Sequence, residues 1–142
     1  MSTLYGAMAA SATALNAERT RIEVAVSNMA NAESTRSADG QPYRRRDVML
    51  AADAGQTFDT ALGRAGAVGV KVSGVVEDQS PFRRRYEPSH PDADADGYVA
   101  LPNVDPSQEM VDMLGAARAY QANLAAIGMI RDMVTKSLDL GK

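Results

Sequence analysis

The chain has 142 residues, of which 45% are hydrophobic and 23% are charged, as in folded rather than disordered proteins. Alanine accounts for 25 of these residues, whereas tryptophan is absent and phenylalanine occurs twice, which favours closely packed helices over a wide core of large side chains. The net charge of −3 argues against a general attraction to nucleic acid or anionic membranes, and the absence of cysteine excludes disulfides and thiolate metal sites.

The first 32 residues are predicted to form one long helix, because they contain no proline and a single glycine. Large apolar side chains recur along one face at about heptad spacing, namely Leu4, Met8, Leu15, Ile22 and Met29. This spacing indicates a helix that packs against other helices as in a coiled coil.

Residues 105–142 are predicted to form a second long helix. Asp105 has the N-cap position and Pro106 the first helical position, which together are a typical helix start. The apolar positions then alternate in spacings of three and four, interrupted only by Arg131, and they are Met110, Met113, Ala117, Tyr120, Leu124, Ile127, Val134 and Leu138. This second stripe is the expected coiled-coil partner of the first.

Residues 33–104 differ in character and are predicted to form a small β-rich domain. Strand-like runs occur at residues 43–50, 68–77, 82–87 and 97–101, and the alanine- and glycine-rich segment 51–69 is predicted to be a mobile loop. The predicted fold class is therefore α+β, with two terminal helices and a β-rich middle. An ordinary two-helix core within one domain would explain the stripes equally simply, but their small side chains and their position at the two chain ends favour packing against further copies.

The sequence contains no pattern that indicates catalysis, a cofactor or a metal. The run from Asp92 to Gly97 resembles the opening of a calcium loop, but Asn103 stands where a bidentate carboxylate is needed and prolines exclude the flanking helices. The single histidine, His90, lies in a turn-like sequence. We expect neither an enzyme nor a calcium-binding protein.

Two arginine triplets carry much of the positive charge, and both lie in predicted strands. The two explanations that remain open are a solvated strand face and contact between subunits, in which acidic side chains supply the partners. The residues concerned are Arg44, Arg45, Arg46, Arg83, Arg84 and Arg85, with Asp92, Asp94 and Asp96 as candidate partners.

The sequence also resembles a known family. Asn28, Ala30, Asn31 and Thr35 fit a motif that closes the N-terminal helix of bacterial flagellar axial proteins, which include rod and hook subunits. Residues 35–45, 90–104 and 109–123 are similar to segments of the proximal-rod members of that family, so that the resemblance covers nearly the whole chain.

The resemblance implies a structural subunit that polymerises through its terminal helices, contacts copies of itself and neighbouring rod proteins, and transmits torque from motor to hook. It also implies export by the flagellar type III apparatus and a place in the rod where it crosses the periplasm. This agrees with the first 15 residues, which lack the features of a cleavable signal peptide, and with the absence of an apolar run of about 18 residues. The alternative is a non-polymerising helical adaptor or binding module of a secretion apparatus.

Overall fold

The computed structural model describes residues 2–37, 40–53 and 68–139. Two long helices, α1 (Ser2–Ala30) and α2 (Pro106–Asp139), flank a middle part that contains four strands. The strands are β1 (Arg46–Asp53), β2 (Gly69–Glu77), β3 (Arg83–Tyr86) and β4 (Tyr98–Leu101). The predicted α+β class is confirmed. Within the described part of the chain, neither helix is apolar enough over a sufficient length to cross a membrane.

The helix starts and ends follow from local chemistry. Asp105 caps α2 as predicted, because its Oδ1 accepts a hydrogen bond of 2.9 Å from the Ser107 backbone N–H, one of the donors that a helix start leaves without a partner. After Ala30 the chain turns, and the Asn31 N–H still bonds the Ser27 carbonyl oxygen at 3.2 Å.

The strands form two separate two-stranded sheets, β1–β2 and β3–β4. The β3–β4 pair is antiparallel, with Arg83 opposite Leu101 and Arg85 opposite Val99. Val99 and Leu101 are buried whereas Tyr98 and Ala100 are exposed, which is the alternation expected of a sheet with one covered face.

The strand predictions hold except at their edges. The first strand begins at Arg46, so Arg44 and Arg45 precede it rather than lie in it. The predicted loop 51–69 is too long, because residues 51–53 belong to β1 and Gly69 begins β2. Residues 54–67 of that loop lie outside the described residues.

The chain forms two compact units, each built from several segments. Unit 1 comprises Met1–Thr20, Met49–Gly74 and Gly115–Lys142, and unit 2 comprises Arg21–Val48 and Val75–Leu114. The buried side chains of unit 1 include Ala17, Ala116 and Ile130. The residues of unit 2 that lose almost all solvent contact include Ala25, Asn28, Ala32, Val99, Leu101, Val104 and Glu109. The division into residues 1–32, 33–104 and 105–142 stays a prediction.

A tight turn in unit 2 leads the chain into β4. Gly97 has a φ of 80°, and its N–H bonds the Asp94 carbonyl oxygen at 2.9 Å. A Cβ at this position would lie 3.0 Å from the Tyr86 ring and 3.1 Å from Pro88 Cβ. Glycine is therefore required here by both backbone conformation and space.

Candidate functional site

The predicted helix stripes are only partly covered within the chain. On α1, the side chains of Leu4, Met8, Leu15, Ile22 and Met29 are all half-buried. On α2 the half-buried positions are Met113, Ala117, Tyr120, Ile127 and Val134. Three further stripe positions on α2 remain exposed, namely Met110, Leu124 and Leu138, with Leu124 retaining 55% of its surface. The stripes thus keep apolar surface that another molecule could cover.

In unit 1 the two stripes lie next to each other. Leu4 and Met8 of α1 line a mostly apolar cavity of about 160 Å³ together with Ile130 and Val134 of α2. Ile130, which lies beside the predicted stripe rather than in it, is the buried member of this group.

Asn28, a residue of the family motif, lies at the centre of a hydrogen-bonded group in unit 2 and is only 1% exposed. Its Oδ1 accepts hydrogen bonds from the Tyr43 hydroxyl and the Arg46 N–H, both at 2.9 Å. Its Nδ2 donates to the Arg46 carbonyl oxygen at 2.8 Å and to Glu109 Oε2 at 2.9 Å. All four hydrogen-bonding positions of the amide are therefore used.

Glu109 lies in the first turns of α2 and is 2% exposed. While Oε2 accepts from Asn28, Oε1 accepts from Arg45 Nε at 2.5 Å. Arg45 also lies 3.4 Å from Asp112, and its backbone N–H bonds Asn103 Oδ1 at 2.8 Å. A buried carboxylate requires such a countercharge, because an unpaired charge in the interior is costly.

The charge state of Arg45 follows from these neighbours. Burial lowers its pKa, but the hydrogen bond and negative charge of Glu109 outweigh that effect, with Asp47 and Asp112 contributing further, so its pKa is raised above the ordinary value. A polar cavity of about 310 Å³ adjoins the group. In the described part of the chain, every buried side-chain nitrogen and oxygen has a hydrogen-bond partner.

The rest of the family motif shapes the chain after α1. Asn31 Nδ2 donates to the Ser27 carbonyl oxygen at 2.8 Å, which holds the last helical turn. Thr35 Oγ1 donates to Asp92 Oδ2 at 2.8 Å, and Arg36 pairs with the same carboxylate at 2.5 Å. Ala30 is exposed. Two motif residues, Asn28 and Thr35, thus join the end of α1 to the middle of the chain, whereas Asn31 acts locally.

The second arginine triplet alternates along β3 as a strand requires. Arg83 donates to the carbonyl oxygens of Ala32 and Pro102, at 3.2 and 3.0 Å. Arg85 lies on the same face and pairs with Glu33 at 2.8 Å. The Glu33 hydrogen bond is the main reason that the pKa of Arg85 is raised.

The middle arginine of this triplet points the other way. Arg84 pairs with Asp94 at 2.6 Å, and its Cζ lies 4.8 Å from the centre of the Tyr98 ring. Tyr98 in turn meets Tyr86 edge to face, with ring centroids 5.3 Å apart.

The first triplet also has partners within the chain. Arg44 lies over the Phe82 ring, with its Cζ 4.4 Å from the ring centre. Arg46 is 3.8 Å from Glu77, and both side chains are exposed. Contact of either triplet with a neighbouring subunit stays a prediction, and the pairs described here are those formed within one chain.

The acidic run is held by hydrogen bonds within its own loop. Asp94 Oδ1 accepts hydrogen bonds from the backbone N–H groups of Tyr98 and Asp96, at 2.8 and 3.0 Å. The Tyr98 bond is the main reason that the pKa of Asp94 is lowered, and Arg84 acts in the same direction. Asp96 contributes its backbone here and its side chain is exposed. Across the described residues no three histidine, aspartate or glutamate side chains come together as a metal site.

Glu109, Tyr43 and Asn103 contact the group around Asn28 or Arg45, and the sequence pattern does not predict these contacts. A carboxylate in the first turn of a helix is ordinarily explained by the helix dipole. Nothing in the local pattern distinguishes a buried glutamate from an exposed one at this position.

Comparison with known proteins identifies the class to which this arrangement belongs. Residues 95–140 match the family described as flagellar basal body rod FlgEFG protein C-terminal. The chain is 43% identical to the flagellar basal-body rod protein FlgC of Bacillus subtilis, over 99% of both chains. It is 46% identical to the FlgC of Salmonella typhimurium over 91% of both chains, and 36% identical to that of Borreliella burgdorferi over 95% of both. The chain therefore belongs to the FlgC family of flagellar basal-body rod proteins.

Proposed function

We propose that this chain is a structural subunit of the proximal part of the flagellar basal-body rod. In this role it polymerises through α1 and α2, contacts copies of itself and neighbouring rod proteins, and transmits torque from motor to hook. It reaches its place across the periplasm through the flagellar type III export apparatus. The family membership supports the rod as its location, and the role requires no catalytic group.

The observation that carries the polymerisation step is the exposure of the α2 stripe. Met110, Leu124 and Leu138 lie on one stripe, and each retains about half of its surface. Apolar side chains aligned on one face of a helix are ordinarily covered by another element. In a rod, the helices of adjacent subunits supply that cover.

Leu124→Asp tests this role. A carboxylate at position 124 would be buried without a partner when subunits pack, at a cost of several kcal/mol, so we expect loss of rod assembly and of motility. The variant is expressed in a bacterium that lacks its own copy of this rod protein, and swimming, rod formation and export of the subunit are measured. Export is expected to continue.

Ala125→Asp is the matched control, because it adds the same charge at the next residue, which is exposed on a different face of α2. It is expected to retain most of the swimming. Normal swimming by Leu124→Asp would show that the stripe is not an interface and would favour a non-polymerising adaptor instead.

A further inference from the structure

We propose that Asp96 is a modification site, at which isoaspartate forms while the chain is unfolded and no longer forms once the turn before β4 has closed. In the pair Asp96–Gly97 the aspartate precedes a residue with no side chain, so nothing shields the next peptide nitrogen from its carboxyl group. The inference concerns the turn between β3 and β4 and does not require either long helix to be folded.

The reaction needs only the chain itself and water. The Gly97 nitrogen forms a bond to Asp96 Cγ and loses its proton, while a carboxyl oxygen of Asp96 leaves as water, so that a succinimide ring closes. Water then opens the ring. Attack at the main-chain carbonyl carbon of Asp96 leaves the two residues joined through Cβ and Cγ, as isoaspartate, whereas attack at Cγ restores aspartate. One water is lost and one is gained, and nothing is oxidised or reduced.

The folded turn withholds the attacking nitrogen. Gly97 is buried, and its N–H donates to the Asp94 carbonyl oxygen at 2.9 Å. On either side, Asp94 Oδ1 accepts hydrogen bonds from the N–H groups of Asp96 and Tyr98, at 3.0 and 2.8 Å. A nitrogen whose proton is held in such a bond is not available for attack. Isoaspartate formation therefore requires the turn to open first.

The carboxyl group of Asp96 is itself unprotected. Its side chain is exposed, and the hydrogen bond that residue 96 makes to Asp94 uses the backbone N–H. The reactive pair also has to be kept, because Gly97 has a φ of 80° and a Cβ there would lie 3.0 Å from the Tyr86 ring. Protection therefore depends on the closed turn and not on burial of the aspartate.

Isoaspartate is incompatible with the same turn. It lengthens the main chain by one carbon between the nitrogens of Asp96 and Gly97, whereas Asp94 Oδ1 has to bond N–H groups on both sides of that insertion. One of those groups belongs to Tyr98, which begins β4 opposite Tyr86. A chain that is modified before it folds is therefore expected not to complete the β3–β4 sheet.

The rate of isoaspartate formation in two states tests the proposal. Purified basal bodies supply the folded chain, and the same chain in guanidinium chloride supplies the unfolded one, at equal pH and temperature. Trypsin releases Asp96 in the peptide 86–118, in which isoaspartate is labelled by an isoaspartyl methyltransferase. The other Asp–Gly pair, Asp39–Gly40, falls in a separate peptide, 37–44, so the two sites are measured independently.

We expect peptide 86–118 to gain isoaspartate more slowly in basal bodies than in denaturant, by at least about tenfold, because the turn must open before the nitrogen can react. Basal bodies should also contain a smaller isoaspartate fraction in this peptide than the unassembled chain of the same cells. Equal rates in the two states, or no isoaspartate in the unfolded chain, would overturn the proposal.

Asp96→Glu is the matched control, because it keeps an exposed carboxylate beside Gly97 while the larger ring that a glutamate has to form closes much more slowly. The label on peptide 86–118 should disappear in both states. A label that persists in this variant would show that another aspartate is the source, and the assignment to Asp96 would be wrong.

Asp94→Ala tests the turn itself. It removes the oxygen that accepts from Asp96 and Tyr98 while the pair Asp96–Gly97 stays intact, so the rate in basal bodies should rise towards the rate in denaturant. Asp94→Asn keeps an acceptor oxygen and should stay close to the wild type. An unchanged rate in Asp94→Ala would show that the turn does not protect the site, and the comparison of the two states of the wild type tests the same point without any substitution.

Discussion

At the scale of single residues, Gly97 shows how one turn governs a sheet. The positive φ places the Asp94 carbonyl oxygen and the Tyr98 N–H where the loop can close before β4 begins. The same turn brings the Tyr86 ring against the glycine. The β3–β4 sheet therefore depends on a residue that contributes no side chain.

We expect Gly97→Ala to lower the free energy of unfolding by about 1–3 kcal/mol, because a Cβ is disfavoured at this φ and would crowd Tyr86 and Pro88. The measurement is the midpoint of urea unfolding. Gly74→Ala is the matched control, since a Cβ there meets nothing within 4 Å. Equal midpoints for the two variants would contradict this account of the turn.

Asp94 makes a pH-dependent contribution. Because the backbone hydrogen bond from Tyr98 and the side-chain hydrogen bond from Arg84 lower its pKa in the folded chain, its stabilising effect is complete above the ordinary aspartate pKa of 3.8 and is lost as the pH falls through the lower folded value. The stability of the chain should accordingly decrease on acidification below about pH 4.

Asp94→Asn should flatten that decrease, because an amide cannot titrate although it can still accept the Tyr98 bond. Urea unfolding between about pH 2 and 6 measures the effect. Asp139→Asn is the control, because it removes a carboxyl group from an exposed position near the end of α2. An unchanged pH profile in Asp94→Asn would exclude this carboxylate as the cause.

At the scale of elements, the start of α2 depends on one side chain. Asp105→Ala is expected to lower the free energy of unfolding by about 0.5–2 kcal/mol, because the Ser107 N–H loses its acceptor. Asp105→Ser keeps a capping oxygen and should retain most of the stability. Circular dichroism during thermal unfolding compares the two, and similar losses in both would argue against a capping role.

Most of the elements are predictable from the sequence because their signals are local. The cap at Asp105 and Pro106, the strand-like composition of β4 and the lack of proline in α1 can each be read from the residues of the element itself. The predicted start of β1 is too early because Tyr43 and the arginines have strand-like composition, whereas Tyr43 and Arg45 are used to contact Asn28 and Glu109.

The hydrogen-bonded group of Asn28, Arg45 and Glu109 is only partly predictable from the sequence. The motif draws attention to Asn28, but its partner Glu109 lies in another helix, and no periodicity or composition links the two. For Arg45 the sequence leaves open a solvated strand face or contact with another subunit, because a run of arginines gives no sign of which member is largely covered within the chain. Long-range pairing of polar groups leaves little trace in a single sequence.

At the scale of the whole molecule, the charged side chains of Arg84 and Arg85 on β3 are exposed and can contact other molecules. The side chains of Arg84 and Arg85 are 60% and 45% exposed despite their pairs with Asp94 and Glu33. Exposed pairs contribute about 0–1 kcal/mol each, so these bonds matter little to the stability of one chain. Repeated over many subunits, the same charges would matter more to assembly.

We therefore expect the double variant Arg84→Gln and Arg85→Gln to unfold nearly as the wild type does, yet to assemble into rods less well, with a larger loss at high salt because the remaining pairs are screened. Rod formation at two salt concentrations is the measurement. Arg118→Gln, on the exposed side of α2, is the control. If the double variant formed rods normally at both salt concentrations, Arg84 and Arg85 would have no role in contacts between subunits.

The hydrogen bond between Asn28 and Glu109 also affects the time course of folding, because it joins residues 81 positions apart in the chain. Contacts of such high sequence separation require a large loop to close before they stabilise anything, and they slow folding accordingly. A chain that emerges with its N-terminus first cannot form this bond until Glu109 is available. During synthesis the first helix consequently remains without its buried partner until Glu109 has been added, and this part of the structure is completed only as the last segment arrives.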